Sequence, residues 1–176
     1  MKKNIFTSST KIAIISDIHN NETNLKKVLD YCARNSIKKI ICCGDLASEE
    51  TLDFLCDNFS GEIFFTFGNM DDGQLENFEF IPKYKNAKLF KNHGETSIDR
   101  KKTAFVHFPD IAKKLCESGK YDFVFYGHTH KPWTEKVGNC TMLNPGNVAG
   151  EIFPPTFAIW NIENNKFDLI RVHDLK

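Results

Sequence analysis

The segment Ile12-Ala13-Ile14-Ile15-Ser16-Asp17-Ile18-His19 joins a short apolar run directly to two residues that can bind a metal ion. A short run of apolar, mostly β-branched residues favours a buried strand. Buried strands of this kind belong to α/β sheets, which bind ligands just beyond the carboxyl ends of their strands. The segment therefore predicts an α/β fold with a functional residue pair at the end of its first strand.

Four more apolar runs end in the same way, in residues that can bind metals. Their end residues are Asp45, then Asn69 with Asp71, then His107, and finally His128 with His130. A single Asp-x-His pair or a single His at a strand end usually has no catalytic meaning. Five such ends in one chain instead place two or three Asp, one Asn and four His at one rim of the sheet. That is the inventory of a two-metal catalytic site.

The segments between the strands show helical patterns and caps. Glu22–Arg34 has one apolar face and can be capped by Asn20 or Asn21. Ser48 can cap a second helix, and a third helix should begin near Pro109 and stop at Gly119. The rest of the chain is rich in short strands. We expect Lys88–Lys91, Glu95–Asp99 and Lys102–His107 as a possible meander, then Trp133–Val137, Cys140–Leu143, and a hairpin of Thr156–Ile162 with Lys166–Val172.

Length and composition restrict the class of protein. A chain of 176 residues favours one domain, here 1–176, with Met1–Thr10 loosely ordered. Lys+Arg and Asp+Glu are balanced at 23 each, so a nucleic-acid partner is not expected.

None of the six cysteines forms a C-x-x-C pair, which favours reduced core cysteines. With no apolar run near ~18 residues, we expect a cytoplasmic protein without a membrane partner.

The spacing of the candidate residues suggests how they could share ions. Asp17 and His19 are two residues apart, and in extended backbone such positions point the same way. His128 and His130 repeat this spacing. The carboxylate of Asp45 has two oxygens, which suits a bridge between two ions. Nitrogen and oxygen donors suit Mn²⁺, Fe, Ni²⁺ or Zn²⁺.

A family resemblance rests on these motifs together. The order of the motifs resembles that of calcineurin-like metallophosphoesterases, and most of all that of their YfcE-type phosphodiesterases. In this chain the motifs are Ser16-Asp17-Ile18-His19, Gly44-Asp45, Gly68-Asn69-Met70-Asp71, His107, Gly127-His128-Thr129-His130 and Asn144-Pro145-Gly146. The resemblance covers about Lys11 to Val172. It implies a four-layer α/β/β/α sandwich with the metal site at the rims of the sheets.

The resemblance also implies a reaction and a ligand set. The reaction is hydrolysis of a small phosphorylated substrate, a phosphodiester, by attack of water on phosphorus with two divalent metal ions, Mn²⁺ first and Ni²⁺, Zn²⁺ or Fe as alternatives. One ion would be held by Asp17, His19, Asp45 and His130, and the other by Asp45, Asn69, His107 and His128. The residues expected at the centre of catalysis are Asp45, Asn69, Asp71 and His107.

Three places depart from the family pattern. Met70 stands where many relatives have a His that protonates the leaving group, although YfcE-type proteins commonly lack that His. His107 is followed by Phe108-Pro109 instead of Gly, which narrows the loop beside the second ion. Asn20-Asn21 replaces a Gly-Asn pair, a mild change because Asn tolerates left-handed backbone.

Some alternatives stay open at the level of sequence. His93 competes with His107, although His107 is favoured because it ends a strand whereas His93 lies in a polar turn. The turn Asn144-Pro145-Gly146-Asn147 could brace the site or be only a turn. A non-catalytic scaffold of the same fold, like the retromer subunit, is the second functional hypothesis, and a nuclease is the third. A homo-oligomer is also possible.

Overall fold

The computed structural model describes residues 11–73 and 84–175, so the predicted loose order of Met1–Thr10 lies outside the described residues. Within them the chain forms three helices, eleven strands and a final 3₁₀ turn at Val172–Asp174. The helices are α1 (Glu22–Arg34), α2 (Glu49–Asn58) and α3 (Pro109–Glu117). The strands are β1 (Lys11–Ile15), β2 (Lys39–Cys42), β3 (Glu62–Thr66), β4 (Ala87–Phe90), β5 (His93–Ile98), β6 (Lys101–Val106), β7 (Phe123–Phe125), β8 (Trp133–Val137), β9 (Cys140–Asn144), β10 (Thr156–Asn161) and β11 (Lys166–Arg171).

The strands form two sheets whose parallel members end at one rim. The first sheet has the order β11-β10-β1-β2-β3-β4, with β1 to β4 parallel to one another. The second has the order β5-β6-β7-β9-β8, with β6, β7 and β9 parallel. Parallel strands present their carboxyl ends at the same edge, so each sheet collects its loop residues there. The hairpin of β10 and β11 forms as predicted.

Three apolar cores separate four layers. One core lies between the first sheet and helices α1 and α2, and includes Leu25, Leu52 and Phe65. The second lies between the two sheets, where Ile14 and Phe105 are both fully buried. The third lies between the second sheet and α3. This α/β/β/α arrangement confirms the predicted four-layer sandwich.

The helices begin where their caps predict. The Asn21 side chain accepts the backbone N–H of Asn24, and the Ser48 side chain accepts that of Thr51. Pro109 occupies the first turn of α3, where a missing N–H costs nothing. In the described ranges, no helix has the length and apolar character needed to cross a bilayer.

The predicted meander is wrong at its first strand. β4 pairs in parallel with β3 in the first sheet, whereas β5 and β6 form an antiparallel pair in the second. The chain therefore crosses between sheets at Lys91-Asn92, and His93 begins a strand instead of occupying a turn. A short link between two strands favours a hairpin locally. In the structure the Phe90 ring instead packs edge-on against the Phe105 ring, with the ring centroids 5.3 Å apart, and faces the core between the sheets.

The prediction of six reduced cysteines is also wrong for one pair. Cys116 of α3 and Cys140 of β9 form a disulfide, with their Cα atoms 5.4 Å apart. The 24-residue separation gives no sequence signal, because packing of α3 on the second sheet brings the two together. The free cysteines among the described residues are Cys32, Cys42, Cys43 and Cys56, all buried.

Candidate metal centre

The seven predicted ligand residues lie together at the shared rim. Asp17, His19, Asp45 and Asn69 follow strands of the first sheet, and His107, His128 and His130 follow strands of the second. A carboxylate joins the two sheets directly, because both oxygens of Asp17 accept the backbone N–H of His128, at 3.2 and 3.1 Å. His93 lies elsewhere, exposed on β5 with its Nε2 3.3 Å from Glu95, so His107 is the histidine that joins the cluster.

The more buried part of the cluster, here called the inner half-site, contains Asp17, His19, Asp45 and His130. The Nε2 atom of His130 lies 3.3 Å from Asp17 Oδ1. The Nε2 atom of His19 lies 3.9 Å from Asp17 Oδ1 and 3.6 Å from Asp45 Oδ2. Both imidazoles thus direct Nε2 at carboxylate oxygens.

The more open part, here called the outer half-site, contains Asp45, Asn69, His107 and His128. The Oδ1 atom of Asn69 lies 3.1 Å from His107 Nε2 and 3.0 Å from His128 Nδ1. Those two nitrogens are 3.2 Å apart, and His107 Nε2 is 3.3 Å from Asp45 Oδ2. Asn69 and His128 are exposed, whereas His107 is fully buried. The cluster is therefore open to solvent at the outer half-site.

The donor set fits a cation in both half-sites. His107 Nδ1 lies 2.8 Å from the carbonyl oxygen of Cys43, which can only accept, so Nδ1 carries a proton. In the neutral ring, Nε2 then presents its lone pair to the Asn69 and Asp45 oxygens. Lone pairs that face one another repel unless a proton or a metal cation lies between them. His19 Nε2 is buried without a hydrogen-bond partner. Atoms bound to one ion at ~2.0–2.2 Å lie about 3.0–3.5 Å apart, close to most of these separations.

Asp45 connects the two half-sites through one oxygen. Its Oδ2 faces Nε2 of His19 and Nε2 of His107, which belong to different half-sites. Its Oδ1 accepts the backbone N–H of Met70 at 2.8 Å, which fixes the carboxylate plane. This geometry suits a single oxygen shared by two ions.

The local electrostatics favour positive charge at the cluster. Burial opposes ionisation of Asp17, but the neighbouring His130, His19, His107 and Ser16 together more than offset it and hold the pKa of Asp17 well below its usual range. The Asp17 carboxylate raises the pKa of both His19 and His130. Burial would lower the pKa of His107, yet Asp45 raises it above the ordinary value. Cations in either half-site would meet a negative potential.

The backbone of most of these residues is left-handed. The sequence predicts extended backbone there, and that prediction is wrong. Five of the seven residues have positive φ: Asp17 (54°), His19 (46°), Asp45 (58°), His128 (69°) and His130 (59°). Each such non-glycine residue costs some conformational energy and persists only where surrounding contacts hold it. Here the Asp17 N–H donates to the Gly44 carbonyl, and the N–H groups of Ile18 and His19 both donate to the Asp45 carbonyl. The loops after β1 and β2 therefore hold each other in register.

Two glycines allow the strand ends to approach this closely. A Cβ at Gly127 would clash with the hydroxyl of Ser16, and one at Gly68 would clash with the Asp45 carboxylate. Larger residues at either position would push a ligand side chain out of place.

Asp71 lies behind the cluster. It is fully buried, and its oxygens accept the backbone N–H groups of Asp45 (2.7 Å), Gly68 (2.8 Å) and Ala47 (2.9 Å). These contacts tie the loop after β2 to the loop after β3. They favour a positioning role for Asp71 over the direct catalytic role that the sequence suggests.

The turn after β9 braces the loop after β7 that carries His128 and His130, here called the histidine loop. The Asn144 side chain donates to the Gly127 carbonyl at 2.8 Å and to the Thr129 hydroxyl at 3.1 Å. The Asn147 side chain donates to the His130 carbonyl at 3.2 Å. Of the two readings left open for this turn, bracing is the one its contacts support.

Apolar side chains lie beside the outer half-site. The Phe108 ring contacts the rings of His107 and His128 edge-on, with centroids 5.0 and 5.1 Å apart. Met70 is 45% exposed next to Asn69. Glu151, which sequence reasoning missed, lies beside the inner half-site with its carboxylate 3.8 Å from His19. A lone Glu in a loop carries no pattern that could have revealed it.

Fold and site together define the class of protein. The model of the calcineurin-like phosphoesterase superfamily domain matches residues 10–165, and the chain belongs to this family. It is 28% identical over 160 residues to a phosphodiesterase of Methanocaldococcus jannaschii, covering 89% of this chain and 96% of that protein.

Solved structures agree with this assignment. An archaeal phosphodiesterase superposes with a TM-score of 0.82 at 27% identity, covering 92% of this chain and 99% of the other. YfcE, a phosphoesterase from E. coli, superposes with a TM-score of 0.64 at 16% identity, covering 92% of this chain and 99% of the other. Vacuolar Protein Sorting 29 from Cryptosporidium parvum superposes with a TM-score of 0.65 at 18% identity, covering 91% of this chain and 95% of the other. At these identities both structures show the fold alone.

Proposed function

We propose that this protein hydrolyses small phosphodiesters with two divalent metal ions, Mn²⁺ first among the candidates. The observation that carries the proposal is Asp45 Oδ2, which faces a histidine nitrogen of each half-site. Two ions bound there would neutralise charge on the phosphoryl oxygens and lower the pKa of an attacking water. The named relative and solved archaeal structure, both phosphodiesterases, support the substrate class.

Different residues of the cluster have different roles in this proposal. Asp17 and His130 form the buried support of the inner half-site, and Asp45 fixes the spacing to the outer one. Asn69 and His128 are exposed, so the substrate enters there and places its phosphoryl group between the half-sites. Phe108 and Met70 then flank the leaving group. Neither side chain can donate a proton, which favours leaving groups that are already acidic.

The test is metal content and turnover with an aryl diester. Wild-type protein loaded with Mn²⁺ should bind two ions and cleave bis(p-nitrophenyl) phosphate. Asp45→Asn should remove most activity and bound metal, because the shared carboxylate charge is lost. Asp57→Asn, an exposed carboxylate on α2, serves as the matched control and should behave as wild type. Full metal occupancy with near-normal turnover in Asp45→Asn would disprove the bridging role.

The scaffold hypothesis draws on the fold shared with Vacuolar Protein Sorting 29. The convergence of seven ligand-type side chains here favours an enzyme instead. If Mn²⁺-loaded protein bound two ions yet cleaved no diester, the scaffold hypothesis would be favoured over the enzyme.

For the nuclease hypothesis, the equal numbers of acidic and basic residues provide no net positive charge to attract a polyanion. Cleavage of DNA or RNA faster than of small diesters would reverse that judgement.

A further inference from the structure

Both histidines of the inner half-site turn their second ring nitrogen to one residue. His130 Nδ1 lies 3.3 Å from the backbone carbonyl oxygen of Glu151. His19 Nδ1 lies 3.8 Å from the side-chain oxygen Oε2 of the same residue. The Nε2 atoms of both rings meanwhile face the carboxylates of Asp17 and Asp45. Residue 151 therefore contacts the two imidazoles on the side away from the cluster.

The backbone of Glu151 is held in place by partly buried hydrogen bonds. Asn147 is fully buried, and its Oδ1 accepts the backbone N–H groups of Gly150 (2.5 Å) and Glu151 (3.0 Å). The neighbouring Ala149 donates its N–H to the Asp17 carbonyl, and its own carbonyl accepts from the Asn21 side chain at 2.8 Å. The backbone of Glu151 is thus fixed relative to the loop that carries His19.

Among the described residues, no carboxylate lies behind the buried histidine of the outer half-site. His107 Nδ1 donates to the neutral carbonyl of Cys43 instead. A carboxylate behind a histidine makes its metal-facing nitrogen more basic and fixes the orientation of the ring. The Glu151 side chain is 57% exposed, and its carboxylate lies within ion-pair distance of His19 Nδ1.

We propose that Glu151 is a positioning residue that acts through His19 to strengthen cation binding in the inner half-site. The proposal rests on the proposed function, since it requires that this half-site hold a metal ion. With a cation in this half-site, Nδ1–H of His19 would donate to the Glu151 carboxylate and leave Nε2 available as a ligand. Loss of such a carboxylate typically weakens metal affinity about 10–100-fold.

The first measurement is titration of metal-free protein with Mn²⁺ by calorimetry. Glu151→Gln keeps the size and the backbone contacts but removes the charge. It should weaken one of two binding events about 10–100-fold and leave the other unchanged. Glu151→Asp, which restores the charge, should recover part of the loss. Glu163→Gln, an exposed glutamate in the β10–β11 turn, is the matched control and should match wild type. Equal affinities in Glu151→Gln and wild type would overturn the proposal.

The second measurement follows the imidazole of His19 itself. In Zn²⁺-loaded protein labelled with ¹⁵N-histidine, wild type should show His19 protonated at Nδ1 and coordinated at Nε2. Glu151→Gln should shift the Nδ1 resonance and speed exchange of its proton, while the His107 signals stay unchanged. An unchanged His19 signal would also overturn the proposal. Failure of the wild type to bind two ions would instead overturn the proposed function, so the two failures are distinguishable.

Discussion

Met70 affects the candidate site through its backbone and through its side chain. Its N–H holds Asp45 Oδ1 at 2.8 Å, while its side chain is 45% exposed beside the outer half-site. The backbone therefore orients the Asp45 carboxylate whatever the side chain is. A thioether has no proton to give, so under the proposed function expulsion of the leaving group should depend on that group's own acidity.

We predict a steep dependence of rate on leaving-group pKa. Aryl diesters such as bis(p-nitrophenyl) phosphate should react far faster than alkyl diesters, since a positioned general acid is typically worth about 10²–10⁴-fold. Met70→His should narrow that gap if the new imidazole reaches the leaving group. Met70→Leu, similar in size and equally unable to donate a proton, should leave it unchanged. The measurement is kcat/KM across diesters of graded leaving-group pKa. A flat dependence in wild type would show that another group supplies the proton.

Individual site residues could be predicted from the sequence because their chemistry and position coincide. A His or Asp at the end of a buried strand lies at the rim where parallel strands end, so the positions of Asp45 and His107 can be predicted from the sequence. The left-handed backbone of Asp17 and His19 cannot be predicted in this way. It depends on hydrogen bonds from the loop after β2, which lies 26 or more residues away along the chain.

At the scale of elements, the turn between β9 and β10 connects the histidine loop to the first strand. Val148 donates its N–H to the Ser16 carbonyl, and Asn147 donates to the His130 carbonyl. One turn thus holds the ends of β1 and β7 together. Its integrity should matter for stability as well as for the site.

Asn147→Ala should destabilise the protein by about 3 kcal/mol, because one buried and three partly buried backbone groups lose their partner. Each fully buried group costs roughly 1–3 kcal/mol, and water recovers part of the loss at the others. Chemical denaturation with a fixed m-value would measure this difference. Asn164→Ala, in the exposed β10–β11 turn, should cost less than about 1 kcal/mol. Equal effects of the two substitutions would contradict the bracing role of Asn147.

Element types were easier to predict than element partners. Helix α1 begins and ends as its apolar spacing and caps indicate, since these signals are local. The partner of β4 is not local: Ala87–Phe90 pairs with β3 after a long excursion, although a nearby strand offered a hairpin. Contacts between residues distant in sequence decide between the two arrangements, among them the β3–β4 ladder and the packing of Phe90 against Phe105. The Cys116–Cys140 pair eluded sequence reasoning for the same reason.

The whole chain should contain two classes of cysteine. Unfolding without reductant followed by alkylation should give four adducts, and six after reduction, because Cys116 and Cys140 are paired. In the native state Cys32 should resist alkylation, since burial raises its pKa to about 12 and the thiolate is the reactive form. Intact-mass spectrometry would count the adducts. Six adducts before reduction would show that the pair is open, as expected of most thiols in a reducing compartment.

The last prediction concerns how metal binding affects the whole sandwich. The ligand side chains come from both sheets: Asp17 and Asp45 from the first, His107 and His130 from the second. Ions that bind these residues bind only the folded state, so they should stabilise the packing of the sheets against each other. A free Mn²⁺ concentration of ~100 times Kd adds about 2.7 kcal/mol per site. For a chain of this size that corresponds to roughly 5–10 °C in Tm per ion.

Thermal melts with Mn²⁺ and with EDTA would measure this shift. Asp45→Asn should lose most of it, because its carboxylate contributes to both half-sites, whereas the Asp57→Asn control should keep it. His130→Gln should lose only the part that belongs to the inner half-site, since its Nε2 faces Asp17 and not the outer ligands. A full shift in Asp45→Asn would mean that Mn²⁺ stabilises the fold from somewhere other than this rim.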